Sequence, residues 1–177
     1  MAKFDVTFNQ TIHPKGGYAK YSYKGDGEVY KGINRKANPE WNGWILIDLV
    51  KTQLTFPANL DYNILVQDEV ISFYQINFWG KMNGDKILNQ NIADTIFEYA
   101  INVGLVECIK YTKYVLNIEP GEEMDNAVIN GLNNVNADFF ISEFLKTRNR
   151  KHNETYKMKK LTGKYFTNWY NNFFESV

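Results

Sequence analysis

The sequence predicts a mainly α-helical fold with an irregular N-terminal loop and a short hairpin. Three observations predict it. Apolar residues recur at three- and four-residue spacing over most of the chain. Glycines and other turn formers gather in one early stretch, residues 16–40, where that spacing is lost. No heptad repeat, internal repeat or low-complexity tract competes. A hydrophobic share of 44% in 177 residues is enough for one domain with a substantial core.

The elements follow in order. Phe4, Phe8 and Ile12 recur every four residues and predict a short N-terminal helix, stopped near Pro14 and the Gly16–Gly17 pair. Residues 16–40 read as irregular structure with a brief extended hairpin around "KGDGEVY". "NPEWNGWILIDLVKTQL" predicts a helix over about 41–53, with Trp44, Ile47 and Leu54 inward and Pro57 ending the region. Leu65, Val66, Val70, Phe73 and Ile76 or Asn77 fall at helical spacing and predict a helix from 61 to about 78. Ile92, Ala93, Ile96, Phe97, Ala100 and Ile101 share one broad face, and Asn102-Val103-Gly104 offers the C-cap. "LVECIKYTKYVLNI" continues as another helix, and "IEPGEEMDNAVINGLNN" reads as a loop and a short helix. A capping Asn or Asp opens the helix that starts in "NADFF" and runs to about 156. A last helix starts near Gly163.

Composition narrows the function. Aromatic residues reach 16%, which suits a dense core, a stacking groove for sugars or bases, or both. The 20 basic and 20 acidic residues cancel, so no global charge points to nucleic acid or an anionic membrane. No apolar run approaches the ~20 residues of a membrane span. The start "MAKFDVTFNQ" lacks a basic segment followed by an apolar run, so the expectation is cytoplasmic synthesis without a Sec-type signal. Cys108 is the only cysteine, which excludes an internal disulfide and a zinc–cysteine site. His13 and His152 are far apart in sequence, so neither a metal nor another cofactor is expected.

The stretch "HPKGGYAKYSYKGDGEVYKGINRK" carries the densest chemistry. Asp26 and Glu28 are separated by one residue and, in an extended segment, project to one side within about 7 Å. Glycoside hydrolysis uses two carboxyl groups ~5 to 9.5 Å apart, so the two fit a catalytic pair. They equally fit ordinary turn chemistry at Gly25-Asp26-Gly27, with Glu28 paired to Lys24 or Lys31. Tyr18, Tyr21, Tyr23 and Tyr30 alternate with lysines, either as a glycan-facing surface or as packing for the N-terminal lobe. Trp41, Trp44, Trp79 and Trp169 read as core. Glu98 and Asn102 stand one helical turn apart on a shared face, lining a cleft or tying the helix to a loop. The basic run from Lys146 to Lys164 reads as a solvated helix face, with an anionic polymer or partner protein as its alternative.

"KGGY" followed by "GDGEVYKGI" resembles the N-terminal signature of the glycoside hydrolase 108 family, lysozyme-like N-acetylmuramidases also described as secretion activator proteins. "NPEWNGWILID", "VISFYQINFW", "NQNIADTIFEYAINVG", "LKTR" and "NWY" resemble later family segments in the family's order, so the likeness covers nearly the whole chain. The resemblance implies a lysozyme-like helical fold. It implies a family-like lobe over 1–85 and a helical, peptidoglycan-domain-like subdomain over 86–177, joined as one compact unit. It implies peptidoglycan glycan strands as partner and muramidase-type hydrolysis of the β-1,4 bond between N-acetylmuramic acid and N-acetylglucosamine. Gly16, Gly17, Tyr18, Tyr30, Lys31, Glu98 and Asn102 then stand as substrate-binding positions.

The chain departs from the family at its chemistry. Lys15 occupies the place of the catalytic glutamate, Val29 that of a threonine, Asn168 that of a glycine and Asn172 that of an arginine. Loss of a general acid costs roughly 100- to 10,000-fold in rate. Two readings follow: a muramidase whose acid has moved to Glu28 or Asp26, or an inactive lysozyme fold kept as a binding or structural part of a phage or contractile injection particle. Action at the cell wall or within such a particle follows from either.

Overall fold

The computed structural model describes the backbone of residues 1–20 and 27–160 and the side chains of residues 1–20 and 27–150. Among them are seven α-helices and one small antiparallel sheet, the mainly α fold expected. The helices are α1 (Phe4–Thr11), α2 (Gly43–Val50), α3 (Ile64–Tyr74), α4 (Gln90–Val103), α5 (Leu105–Val115), α6 (Asn126–Asn134) and α7 (Ala137–Lys160). The sheet has strands β1 (Tyr18–Ala19), β2 (Val29–Tyr30) and β3 (Ile33–Asn34) in that spatial order. No described helix is long and apolar enough to cross a membrane.

Helix α4 is the hub, because its apolar residues take up most of its circumference. Ile92, Ala93, Ile96, Phe97, Tyr99 and Ala100 are all buried, and α1, α5 and α7 pack around them. Each large side chain so buried contributes roughly 1.5–3 kcal/mol. Asn89 caps the start by accepting from Ile92 N at 3.1 Å. Gly104 ends the helix at φ +98°, where a side chain would be strained. Phe4, Phe8, Tyr74, Phe78, Trp79 and Phe97 form tilted and edge-on ring contacts that join α1 and α3 to this hub. Trp41, Trp44 and Trp79 are core, as read; Trp169 lies outside the described residues.

Two helices differ from expectation. Helix α2 stops at Val50, so Leu54 lies beyond it, fully exposed rather than inward. The expected 61–78 helix is three pieces: a 3₁₀ segment at Ala58–Tyr62, α3 capped by Asn63, and a π-helical turn at Gln75–Trp79. The wider turn rotates the residues that follow Tyr74, which leaves Ile76 in solvent and Trp79 in the core. Leu65 also faces solvent, one position off the Val66–Val70–Tyr74 stripe.

The hairpin between β2 and β3 turns on two residues. Lys31 (φ +47°) and Gly32 (φ +82°) both take left-handed backbone, the turn whose twist matches two-residue hairpins. Tyr30 and Ile33 face each other across it, both buried.

Candidate functional site around Lys15

The chain leaves α1 through a 3₁₀ turn, His13–Lys15, and reverses at Gly16 with φ +79°. Gly16 and Gly17 are exposed, with open space where side chains would stand. The hairpin tip descends onto this turn. A Cβ on Gly32 would lie 2.9 Å from the Tyr74 hydroxyl and 3.1 Å from Lys15 Cδ, so glycine is required there for space as well as for its backbone. The Tyr74 hydroxyl donates to the Lys31 carbonyl at 2.7 Å and fixes the tip.

Lys15 is half-buried beneath that tip and reaches α4. Its Nζ donates to Asn102 Oδ1 at 3.2 Å. Glu98 stands one turn earlier on α4 and is exposed. Burial pulls the Lys15 ammonium below the ordinary lysine value, and the Glu98 charge opposes that pull. Glu98 and Asn102 thus share a face, and Lys15 is the group that meets it. The cluster offers hydrogen-bond donors and a carboxylate acceptor to sugar oxygens. A positive group here repels the oxocarbenium-like centre that glycoside hydrolysis develops.

Glu28 belongs to a different cluster. Its carboxylate, 17% exposed, accepts from the Tyr18 hydroxyl, from Lys51 Nζ and, at 2.5 Å, from an Arg35 guanidinium nitrogen. Arg35 also grips Asp48 through two hydrogen bonds of 2.8 and 2.6 Å, and Lys51 reaches the same Asp48 at 2.6 Å. Arg35 lies over the Trp44 ring at 5.3 Å. The network ties β1 and the residues that flank β2 and β3 to α2 and its C-terminal end. Burial pushes the Glu28 carboxyl up, but hydrogen bonds from Lys51, Tyr18 and Arg35 outweigh it, so the net shift is down. Glu28 is therefore a carboxylate at neutral pH with its oxygens occupied, unsuited to giving up a proton. The same surroundings push the Tyr18 phenol upward, by burial first and by Glu28 second.

Other expected positions sort differently. Lys31 pairs with Asp61 at 3.5 Å rather than with Glu28. Tyr30, expected to face substrate, is fully buried. Its hydroxyl accepts from Gln67 at 2.7 Å and donates to Asp61 at 3.3 Å, and burial pushes its phenol up to about 12. It packs the lobe because its partner across the turn, Ile33, is also core. Tyr18 is half-buried and meets the Phe56 ring edge-on at 4.8 Å. Asp26, Lys24, Tyr21, Tyr23, Asn168, Asn172 and the helix expected near Gly163 lie outside the described residues, as do the basic-run side chains from Lys151 onward. Within that run, Lys146 pairs with Glu143 at 2.7 Å and Arg150 stacks on Tyr114. No metal-binding group of His, Cys, Asp and Glu exists among the described residues.

Sequence reasoning missed Arg35, Asp48 and Lys51, and also Asp61 and Gln67, which meet at the Tyr30 hydroxyl. The i,i+3 spacing of Asp48 and Lys51 on one helix face was the one available signal. A depression of about 300 Å³ opens beside the hairpin tip, between Lys31 and the 3₁₀ segment holding Asp61 and Tyr62. A second, of about 570 Å³, lies between α5 and α7 and shares no residue with it.

The chain is similar in structure to Brucella abortus SagA. The two are 19% identical, over 82% of this chain and 76% of that one, with a TM-score of 0.57. That likeness shows that the two share a fold. No curated protein matches the chain. The glycosyl hydrolase 108 family model matches residues 8–104, more than half of the chain and all of the Lys15, Glu28, Glu98 and Asn102 positions. By that match the chain belongs to the glycosyl hydrolase 108 family.

Proposed function

We propose that this chain binds peptidoglycan glycan strands at the Lys15 cluster and no longer hydrolyses them. Family membership supports a lysozyme-like function directed at peptidoglycan. The observation that carries the loss of hydrolysis is Lys15 itself. It stands where the family's glutamate is expected, tied to Asn102 at 3.2 Å and beneath the hairpin tip. The muramidase reading needs a second carboxyl group that holds a proton near the glycosidic oxygen. Glu28 is held ionised by two cations and a phenol, which argues against it as that proton donor. On this reading the chain divides at residue 85. The 1–85 lobe brings Lys15 and the hairpin, the 86–177 subdomain brings Glu98 and Asn102, and the glycan lies where they meet. The place of action on this reading is the cell wall, or a phage or contractile injection particle that meets it and supplies a protein partner.

Co-sedimentation with isolated peptidoglycan tests the binding half. Wild-type protein should pellet with the sacculi, and Lys15→Ala should pellet distinctly less. Wild-type protein that stays in the supernatant, or a Lys15→Ala variant that pellets equally well, overturns the reading.

A further inference from the structure

Taking the glycan-binding reading as its basis, we propose that the depression beside the hairpin tip is a second, separate subsite that holds one neutral N-acetylated sugar ring. Its size comes first. About 300 Å³ is at the lower end of the ~300–1,000 Å³ range of small-ligand sites, room for one ring rather than a strand.

Its chemistry comes second. Phe8, half-buried, gives the apolar surface, suited to the C–H face of a ring or the methyl of an acetamido group, and the buried Ile12 and Val70 back it from beneath. Tyr62 stands at the rim, 87% exposed, an aromatic face with nothing in the core to explain it. Asp61 is 53% exposed, so its carboxylate can accept from a pair of ring hydroxyls. Gln67 gives its amide N–H groups to the Tyr30 hydroxyl and the Leu60 carbonyl, both at 2.7 Å, which orients the amide and leaves its carbonyl oxygen as an acceptor. Lys31, 14% exposed and 3.5 Å from Asp61, balances the acid. The lining holds one carboxylate, the lysine paired to it and His13, and the paired charges favour a neutral ligand over an anionic one.

Its place comes third. Lys31 is the residue before Gly32, and Gly32 rests on the Lys15 stem. On the other side, His13 lines the depression and belongs to the same 3₁₀ turn as Lys15. The two binding positions therefore flank one hairpin tip.

The test is isothermal titration of the full chain with a neutral N-acetylglucosamine tetramer, beside Tyr62→Ala, Asp61→Asn and Lys15→Ala. Both 61 and 62 are surface positions, and circular dichroism with a urea midpoint checks that the variants fold. The wild type should bind the tetramer. Tyr62→Ala and Asp61→Asn should each weaken it about tenfold, the value of one good contact. Wild-type protein that pellets with peptidoglycan but ignores the tetramer overturns the subsite and leaves the glycan-binding reading standing. Full affinity in both folded variants also overturns it. Failure to bind peptidoglycan and tetramer alike overturns both.

Discussion

Replacing Glu28 by glutamine separates a structural carboxylate from a catalytic one. The side chain is 17% exposed and accepts from Lys51, Tyr18 and Arg35. A hydrogen bond to a charged group contributes ~1.5–3 kcal/mol. Three such bonds are not lost whole. Glutamine keeps one oxygen acceptor, and Arg35 and Lys51 both retain Asp48. What is lost is the negative charge between two cations, and the new amide points N–H groups at donors. A net loss of about 2 kcal/mol follows, or ~4–8 °C in Tm for a chain of this size. The pH dependence sharpens the test. The folded-state pKa of Glu28 lies below its ordinary value of 4.5. Its contribution is thus fully present above that value and is lost as the pH falls through the lower, folded value. The gap between wild type and Glu28→Gln in urea midpoint should be constant from pH 8 to about pH 5 and then close in acid. A variant as stable as wild type at pH 7, or a gap that persists unchanged to pH 2, refutes the structural role.

Further outcomes follow from the same geometry. Gly32→Ala should lose about 2 kcal/mol in urea titration, from left-handed backbone and a Cβ 2.9 Å from the Tyr74 hydroxyl; a loss below ~0.5 kcal/mol contradicts the tight tip. Asp125 caps α6 by accepting from Val128 N at 3.0 Å and pairs with the buried Lys113 at 2.7 Å. Asp125→Ala should therefore lower the Tm more than Asp125→Asn, which keeps the cap; equal effects contradict the double role. Cys108 is buried and its thiol is pushed far above the usual range, so a disulfide reagent should leave it unmodified in native protein and react with one thiol in urea. Reaction in the native state contradicts its placement.

The helices were legible because local rules and tertiary packing agree in them. In α4 the apolar face, the Asn89 cap and the Gly104 stop all point the same way. The 75–79 turn was not legible, because a π-helical turn breaks the 3.6-residue spacing that periodicity assumes. Leu54 misled because "KTQL" continues an apolar phase that the chain abandons after Val50. At the site, Glu98 and Asn102 could be paired from their four-residue spacing alone, and Lys15 could be marked from the family resemblance. The partners of Glu28 could not be found that way. Arg35 and Lys51 reach it from seven and 23 positions away through the fold, while the sequence offered nearer lysines of the right sign. Tyr30 and Tyr18 illustrate the same limit. Both are tyrosines in one polar stretch, and they pair directly across β1 and β2 on one face of the sheet, yet Tyr30 on the central strand is buried while Tyr18 on the edge strand is only half-buried.

The central claim is that Lys15 has replaced the acid and hydrolysis is gone. Its most direct test is muropeptide release: purified wild-type protein incubated with isolated peptidoglycan, with soluble products read by mass spectrometry beside Lys15→Glu and Glu28→Gln. The account predicts no products from the wild type while the protein remains bound to the sacculi, and release only where Lys15→Glu restores a carboxyl group. Muropeptides released by the wild type, and lost in a folded Glu28→Gln variant, would contradict it.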